Sequence, residues 1–387
     1  MFRFIKPHNI VTLNVMYNKW LVLFAVSCGT FMATLDSSIV NIALPTVTKS
    51  LSSTLDFTRW IVILYYLVIT CLLLPFGAIS DLYGRKKTFI LGFLIFTIGS
   101  AFCSISFTLT QLLISRLFQA LGASLLMANG PAIITSHFPA YERGRALGIL
   151  AMVVAIGLVT GPVIGGILIP LLTWRSIFYI NIPIGILGVY LVKISLMNDP
   201  IKKILKRKFD WLGSILLIFI FTAIITLFDP PNLEITNNIP LLQSGPILAF
   251  FTIIFFTFFI IHEKKAPNPI FEFSLLKNRT FWTANLSSFF LFMSYSSVVM
   301  LIPFYLEDIL KLSTHESGLM MMTIPICIFL TSPISGPLSD RFGGRELSFI
   351  GATLSVIGLF FLSGVFGNGI TTHTSHLQMI LFLALIG

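Results

Sequence analysis

An all-α polytopic membrane protein is the fold class this sequence predicts, on three observations. The chain is 56% hydrophobic and only 10% charged, with a mean hydropathy of +0.94. Soluble domains average roughly 25% charged residues, enough to clothe a core in a hydrated shell. Apolar runs near the roughly 20 residues that cross a bilayer as a helix recur along the whole length. Lys and Arg crowd into alternate connections between those runs. A β-barrel would alternate over segments of roughly 10 residues, and these runs do not alternate.

The apolar runs place helices over 20–45, 57–80, 88–107, 110–135, 146–170 and 175–197. Further helices are expected over 211–228, 245–262, 280–306, 314–338 and 347–366, with a twelfth starting near 376. The first carries a single acid, Asp36, and the fourth a single base, Arg116. The N-terminal arm and the even-numbered loops hold twenty of the 25 basic residues, including Arg85, Lys86, Arg143, Lys202, Arg207, Lys264 and Arg345. Odd-numbered loops hold only Lys49, Arg59, Arg175 and Lys311. The positive-inside rule therefore puts the N-terminus and the even loops in the cytoplasm of a multi-pass plasma or inner membrane protein. The same alternation checks the helix count, because one missed span would scramble it.

The net charge of +10 invites a nucleic-acid reading. The bases are scattered through short loops, so nucleic acid is excluded as a partner, and the basic stretch "KKILKRKF" is expected to rest on anionic headgroups. The four cysteines lie in or beside apolar runs without metal-like spacing and read as small buried hydrophobes. No H-x-x-x-H, H-E-x-x-H or phosphate-cradling glycine loop occurs, so an enzyme, a bound metal and a bound cofactor are not expected.

A segment repeats. "GAISDLYGRKK" (77–87) closes the second run and "GPLSDRFGGRE" (336–346) closes the tenth. Both sit on the side assigned to the cytoplasm, so the repeat is parallel, one of the ways transporters are built. Gly77 and Gly336 are expected to let helices approach closely. Gly84 and Gly343 suit a tight turn. Asp81 and Asp340 suit a helix N-terminus, and Arg85 and Arg345 a carboxylate or headgroup. The first copy resembles motif A of the major facilitator superfamily. That resemblance implies a cytoplasmic latch between two halves, formed by Gly77, Asp81, Gly84, Arg85 and Lys86, with Asp340 and Arg345 in the second copy.

Twelve-helix members of that superfamily hold the two copies six helices apart; here they are eight apart. The surplus pair, 211–228 and 245–262 around "DPPNLEITNN", implies the fourteen-helix branch. The domains expected are a six-helix bundle over 1–198, a basic loop plus two linker helices over 199–279, and an incomplete second bundle over 280–387. The end at "LFLALIG" is expected to be a truncation on this resemblance.

A carboxylate in hydrocarbon costs at least about 2.5–3.5 kcal/mol, so Asp36 needs a cavity, a cation or a proton. Asp36 lies roughly 24 Å along its helix from Trp20, at 1.5 Å per residue, and Arg116 roughly 10 Å from the outer end of its own. Both fall in the outer half of the bilayer at similar depth, so they are expected to pair or to share a cavity. Structural pairing and proton coupling both fit. "LDSSIVNIALP" resembles the first-helix signature of the fourteen-helix drug:proton antiporters, the EmrB/QacA-like branch. "RLFQALGAS" (116–124) resembles motif B, which implies proton transfer at Arg116 with Gln119 as a motif partner; Ala120 replaces the usual Gly.

"GLVTGPVIGG" (157–166) repeats Gly every four residues, which puts Gly157, Gly161 and Gly165 on one helix face for close packing. Pro162 invites a kink. With Gly166 the stretch resembles motif C, which implies an antiporter hinge and export. Trp174 and Tyr179, in "WRSIFYINIPIG", suit an interfacial belt. Phe31, Met32 and Met127 are candidates for an adaptable apolar wall.

The resemblance implies a monomeric multidrug efflux antiporter. A small lipophilic or cationic substrate, protons and the bilayer are its partners, and the proton gradient is its energy source in place of a cofactor. A nutrient symporter of the same superfamily and an inactive truncated fragment are the alternatives.

Overall fold

The computed structural model describes residues 18–197, 209–228, 245–363 and 376–387. The bases Lys202–Lys208, the segment "DPPNLEITNN" and the N-terminal Arg3 and Lys6 lie outside the described residues.

Six spans form the first half: α1 (Lys19–Ser50), α2 with α3 (Leu55–Thr58 and Trp60–Tyr83), α4 (Arg85–Ser104), α5 (Leu109–His137), α6 (Arg143–Leu171), and α7 with α8 (Ser176–Tyr179 and Asn181–Ser195). Two further spans follow, α9 (Trp211–Phe228) and α10 (Gly245–Lys265). The second half holds α11 (Arg279–Phe304), α12 with α13 (Thr314–Met321 and Thr323–Phe342), α14 (Gly344–Ser363) and α15 (His376–Ile386). Among the described residues 11 helices are long and apolar enough to cross a membrane, and α15 is a shorter apolar helix. Helices are forced here because hydrocarbon offers backbone amides no other partner. The chain is an all-α, multi-pass membrane protein.

Side-chain caps start several spans. Asn18 accepts from Trp20 N at 3.1 Å, Thr108 from Gln111 N at 3.2 Å, and Asn278 from Thr280 N at 3.0 Å. The first helix outruns its expected end at 45 and continues through Pro45 to Ser50. One missing amide is tolerated within a membrane-spanning helix.

In the first half α1 is central, packed by α5, α6 and α8. Its core holds Met32, Phe89, Phe93, Phe96, Leu126 and Ile133. Met32 is 0% exposed and packs in that core rather than on a substrate wall. Trp174 is also buried, its Nε1 donating to Ser50 Oγ at 3.0 Å, so it is not a belt residue. Glycines let the helices touch. A Cβ on Gly99 would stand 2.6 Å from Gln119 Cα, which fixes the α4–α5 crossing. Gly185 and Gly188 bring α8 against Thr97 and Phe93 of α4 in the same way. α9 and α10 pair through Leu216, Leu217, Ile220 and Phe259, and α9 rests on α3. The halves meet mainly where α6 crosses α13.

Candidate functional site

Asp36 lies in the middle of α1 and is 0% exposed, as is Arg116 on α5. The α4–α5 and α4–α8 glycine contacts turn three donors toward this one carboxylate. Arg116 Nη1 donates to Asp36 Oδ2 at 2.5 Å. Gln119 Nε2 donates to Asp36 Oδ1 at 2.8 Å, and Asn181 Nδ2 to the same oxygen at 3.0 Å. The network continues outward: Arg116 Nη1 also donates to Gln119 Oε1 at 2.6 Å, and Gln119 Nε2 to Ser100 Oγ at 2.8 Å. Arg116 Nε donates to Ile61 O at 3.3 Å. Its guanidinium lies 4.3 Å from the Tyr65 ring centroid, within cation–π range.

The expected Asp36–Arg116 pair is thus present as a contact, and Gln119 joins it. Asn181 was not singled out from sequence, although it stands in the quoted "WRSIFYINIPIG"; an amide in an apolar span was the available signal. An ion pair removed from water gains little net stability, but taking away one partner strands the other at a cost of about 3–5 kcal/mol. The arrangement therefore ties α1, α5 and α8 together. Among the described residues no group of three His, Cys, Asp or Glu is placed to hold a metal ion.

The glycine stripe of α6 faces α1. A Cβ on Gly157 would strike the Thr34 hydroxyl, one on Gly161 the Ser38 hydroxyl, and one on Gly165 would lie 3.1 Å from Ile39 Cγ1. Ser38 Oγ donates to Gly157 O at 3.0 Å. This seam begins two residues from Asp36. Gly166 points away from it, with nothing within 4 Å, because it is one residue out of the four-residue register. α6 runs unbroken through Pro162.

The two repeated segments share a backbone geometry. Gly84 ends α3 at φ 98° and Gly343 ends α13 at φ 88°, a region that disfavours side chains. Their surroundings differ. Asp340 Oδ1 and Oδ2 accept from Gly144 N at 2.7 Å and Arg145 N at 2.9 Å, capping α6. Gly336 meets Gly144 O, 2.5 Å from a built Cβ. Asp81 instead accepts from Arg85 Nη2 at 3.0 Å, and Arg85 Nη1 reaches Ala132 O at 2.7 Å. Lys86 Nζ donates to Lys193 O at 3.0 Å and Leu196 O at 2.5 Å, the C-terminal end of α8, where a cation meets the negative helix end. The close approach expected at Gly77 is absent: nothing lies within 4 Å of a built Cβ. Among the described residues no helix end stands over Gly77 as α6 stands over Gly336; Gly77, Asp81 and Met127 instead line an open cavity of about 710 Å³. Arg345 is exposed on the first turn of α14.

Comparison with known proteins agrees with this architecture. The chain is 39% identical over 350 residues to Riboflavin transporter RibZ of Clostridioides difficile (strain 630), covering 90% of this chain and 74% of that one. It is 29% identical over 366 residues to Multidrug resistance protein 3 of Bacillus subtilis (strain 168), covering 95% and 69%. The solved proton:xylose symporter XylE superposes with a TM-score of 0.65 at 14% identity, over 95% of this chain and 78% of that chain, a likeness of fold. The family profile described as Major Facilitator Superfamily matches residues 26–387, and the chain belongs to that superfamily of membrane transporters.

Proposed function

We propose that the protein exports small lipophilic or cationic compounds in exchange for protons, by alternating access, as a member of the fourteen-helix branch. The observation that carries this reading is the fully buried Asp36 carboxylate held by Arg116, Gln119 and Asn181. A proton on Asp36 cancels the charge that these donors grip. α1 is then released from α5 and α8, and Arg116 becomes the group that needs an anion. That conflict drives the exchange: proton and substrate cannot both be held at low cost.

Movement of α1 is passed on by contact. The Gly157–Gly161 seam fastens α1 to α6, and the N-terminus of α6 is capped from the other half by Asp340. A change at Asp36 thus reaches the junction between halves through one helix. The Gly84 and Gly343 turns sit at the cytoplasmic end in this reading, with the N-terminus on the same side of the cell membrane and the transporter acting as a monomer. The pair α9–α10, inserted between the two repeated segments, supports the fourteen-helix branch.

Proteoliposomes loaded with a fluorescent lipophilic cation test the reading under an imposed pH gradient. Gradient-driven efflux by the native chain, lost in Asp36→Asn, is the expected result. Equal efflux by both would make the Asp36 network purely structural.

A second substrate reading is favoured by one observation, the 39% identity to a riboflavin transporter. In that case the same machinery moves a flavin vitamin. Riboflavin in place of the cation in the same vesicles separates the two: movement of riboflavin without movement of the cation selects the second.

A further inference from the structure

α9 and α10 meet, at the end that carries the Gly84 turn, around three titratable side chains that the Asp36 network does not use. Asp210 precedes α9 and its Oδ1 accepts from Gly213 N at 2.9 Å. His262 Nε2 lies 2.8 and 2.9 Å from the two Asp210 oxygens and donates to them. The neighbouring Glu263 is turned inward and is 3% exposed. Its Oε2 accepts from Phe271 N at 3.2 Å. Its Oε1 is buried without a hydrogen-bond partner among the described residues.

The two carboxylates face each other across one absent methyl group. A Cβ built on Gly213 would stand 2.5 Å from Glu263 Oε1 and 2.8 Å from Asp210 Oδ2. Two ionised carboxylates cannot share such a space cheaply: each repels the other, and the bare oxygen has lost its water. Among the described residues other charges nearby do not relieve this. From the loop comes Glu272, and from α3 comes Asp81, both lining the cavity that Asp210 also lines. Arg85 is already committed to Asp81. Lys264 and Lys265, on α10 itself, are exposed, as is Lys277 in the following turn. Among the described residues His262 is the one basic side chain held against the cluster, and its contact is with Asp210. The described residues offer no metal-holding group here.

We propose that Glu263, together with Asp210 and His262, forms a proton-binding site that fastens α10 and its following turn onto α9. With the proton in place the cluster carries one negative charge fewer, and Glu263 Oε1 gains a hydrogen directed into the space shared with Asp210. Loss of the proton leaves two facing anions and loosens the turn that Phe271 anchors. Because Asp210 and Glu272 line the cavity beside Gly77 and Asp81, the site couples the pH on the side of the Gly84 turn to the shape of that cavity. The proposal stands on α9 and α10 alone and does not rest on coupling at Asp36.

Infrared difference spectroscopy of the full chain in lipid nanodiscs, titrated from about pH 5 to about pH 9, tests it. The native chain and Asp36→Asn are expected to share a protonated-carboxyl band that disappears as pH rises, and Glu263→Gln is expected to lack it. Asp210→Asn and His262→Gln remove opposite charges, so they are expected to move the midpoint of that band in opposite senses, by about one pH unit each. Those two variants carry the test should Glu263→Gln not fold. The proposal is overturned if Glu263→Gln keeps every titrating band of the native chain, or if the band disappears with Asp36→Asn. An unmoved midpoint in both charge-removing variants overturns it as well.

Discussion

The Asp340 carboxylate spans the first open amides of α6, with Oδ1 2.7 Å from Gly144 N and Oδ2 2.9 Å from Arg145 N. Residues 196 apart in sequence thereby form a helix cap across the junction of the two halves. Caps and charges at helix N-termini contribute about 1–2 kcal/mol. Asp340→Ala is expected to lower the thermal unfolding midpoint of the purified protein measurably. Asp81→Ala, which removes only an exposed pair with Arg85, is expected to leave it nearly unchanged. An unchanged midpoint in Asp340→Ala would mean that the cap contributes nothing to this conformation.

The glycines of the two repeated segments make a second contrast. A Cβ on Gly336 would stand 2.5 Å from the Gly144 carbonyl, a backbone atom that cannot swing aside. Gly336→Ala is expected to cost about 1–3 kcal/mol through overpacking. Gly77→Ala meets open space and is expected to cost well under that. Denaturation of the two variants side by side decides it. If Gly77→Ala keeps stability but loses transport, Gly77 is closed upon by a helix in another conformation.

At the α1–α6 seam the nearest obstruction is a hydroxyl, with Ser38 Cβ and the backbone Ile39 N close behind it, 2.8 and 2.9 Å from a Cβ built on Gly161. Gly161→Ala drives a methyl into the Ser38 side chain, so transport is expected to fall at least about tenfold through a shift of α1, at about 1.4 kcal/mol per tenfold change. Adding Ser38→Ala removes the nearest atom while Ser38 Cβ and Ile39 N stay within 3.0 Å, so it is expected to restore only part of the rate, and the 3.0 Å bond to Gly157 O is lost. Absence of any rescue in vesicle efflux would place the effect of Gly161→Ala elsewhere.

Asn181 donates to the same Asp36 oxygen as Gln119. A hydrogen bond to a charged group contributes about 1.5–3 kcal/mol. Asn181→Ala is therefore expected to cut pH-driven transport about tenfold while the protein still folds. Asn181→Asp sets a second acid against Asp36 and is expected to reduce it further. Rates equal to the native chain in both variants would exclude Asn181 from the coupling site. The measurement is initial efflux rate at several values of the imposed gradient.

The spans were legible because each is a local property: length and apolarity decide whether a segment can cross hydrocarbon. The ends of α3 and α13 were legible for the same reason, since a turn between two spans needs a residue that tolerates positive φ, and Gly84 and Gly343 supply it. Asp36 and Arg116 stood out as lone charges at matching depth. Met32 and Trp174 were misplaced, as a cavity wall and a belt residue, because an apolar side chain in an apolar helix carries no mark of which way it faces.

By itself, then, the sequence determined the membrane class, the number and order of the spans, the repeated segment and the one acid and one base that hydrocarbon would not tolerate alone. Only the tertiary structure decided that Asn181 completes the grip on Asp36, that Gly336 is buried against α6 while Gly77 opens on a cavity, and that Glu263 turns inward toward Asp210. The physical reason is rotation. Composition fixes how deep a residue sits along its helix, but the direction it faces depends on which glycines let which neighbours come close.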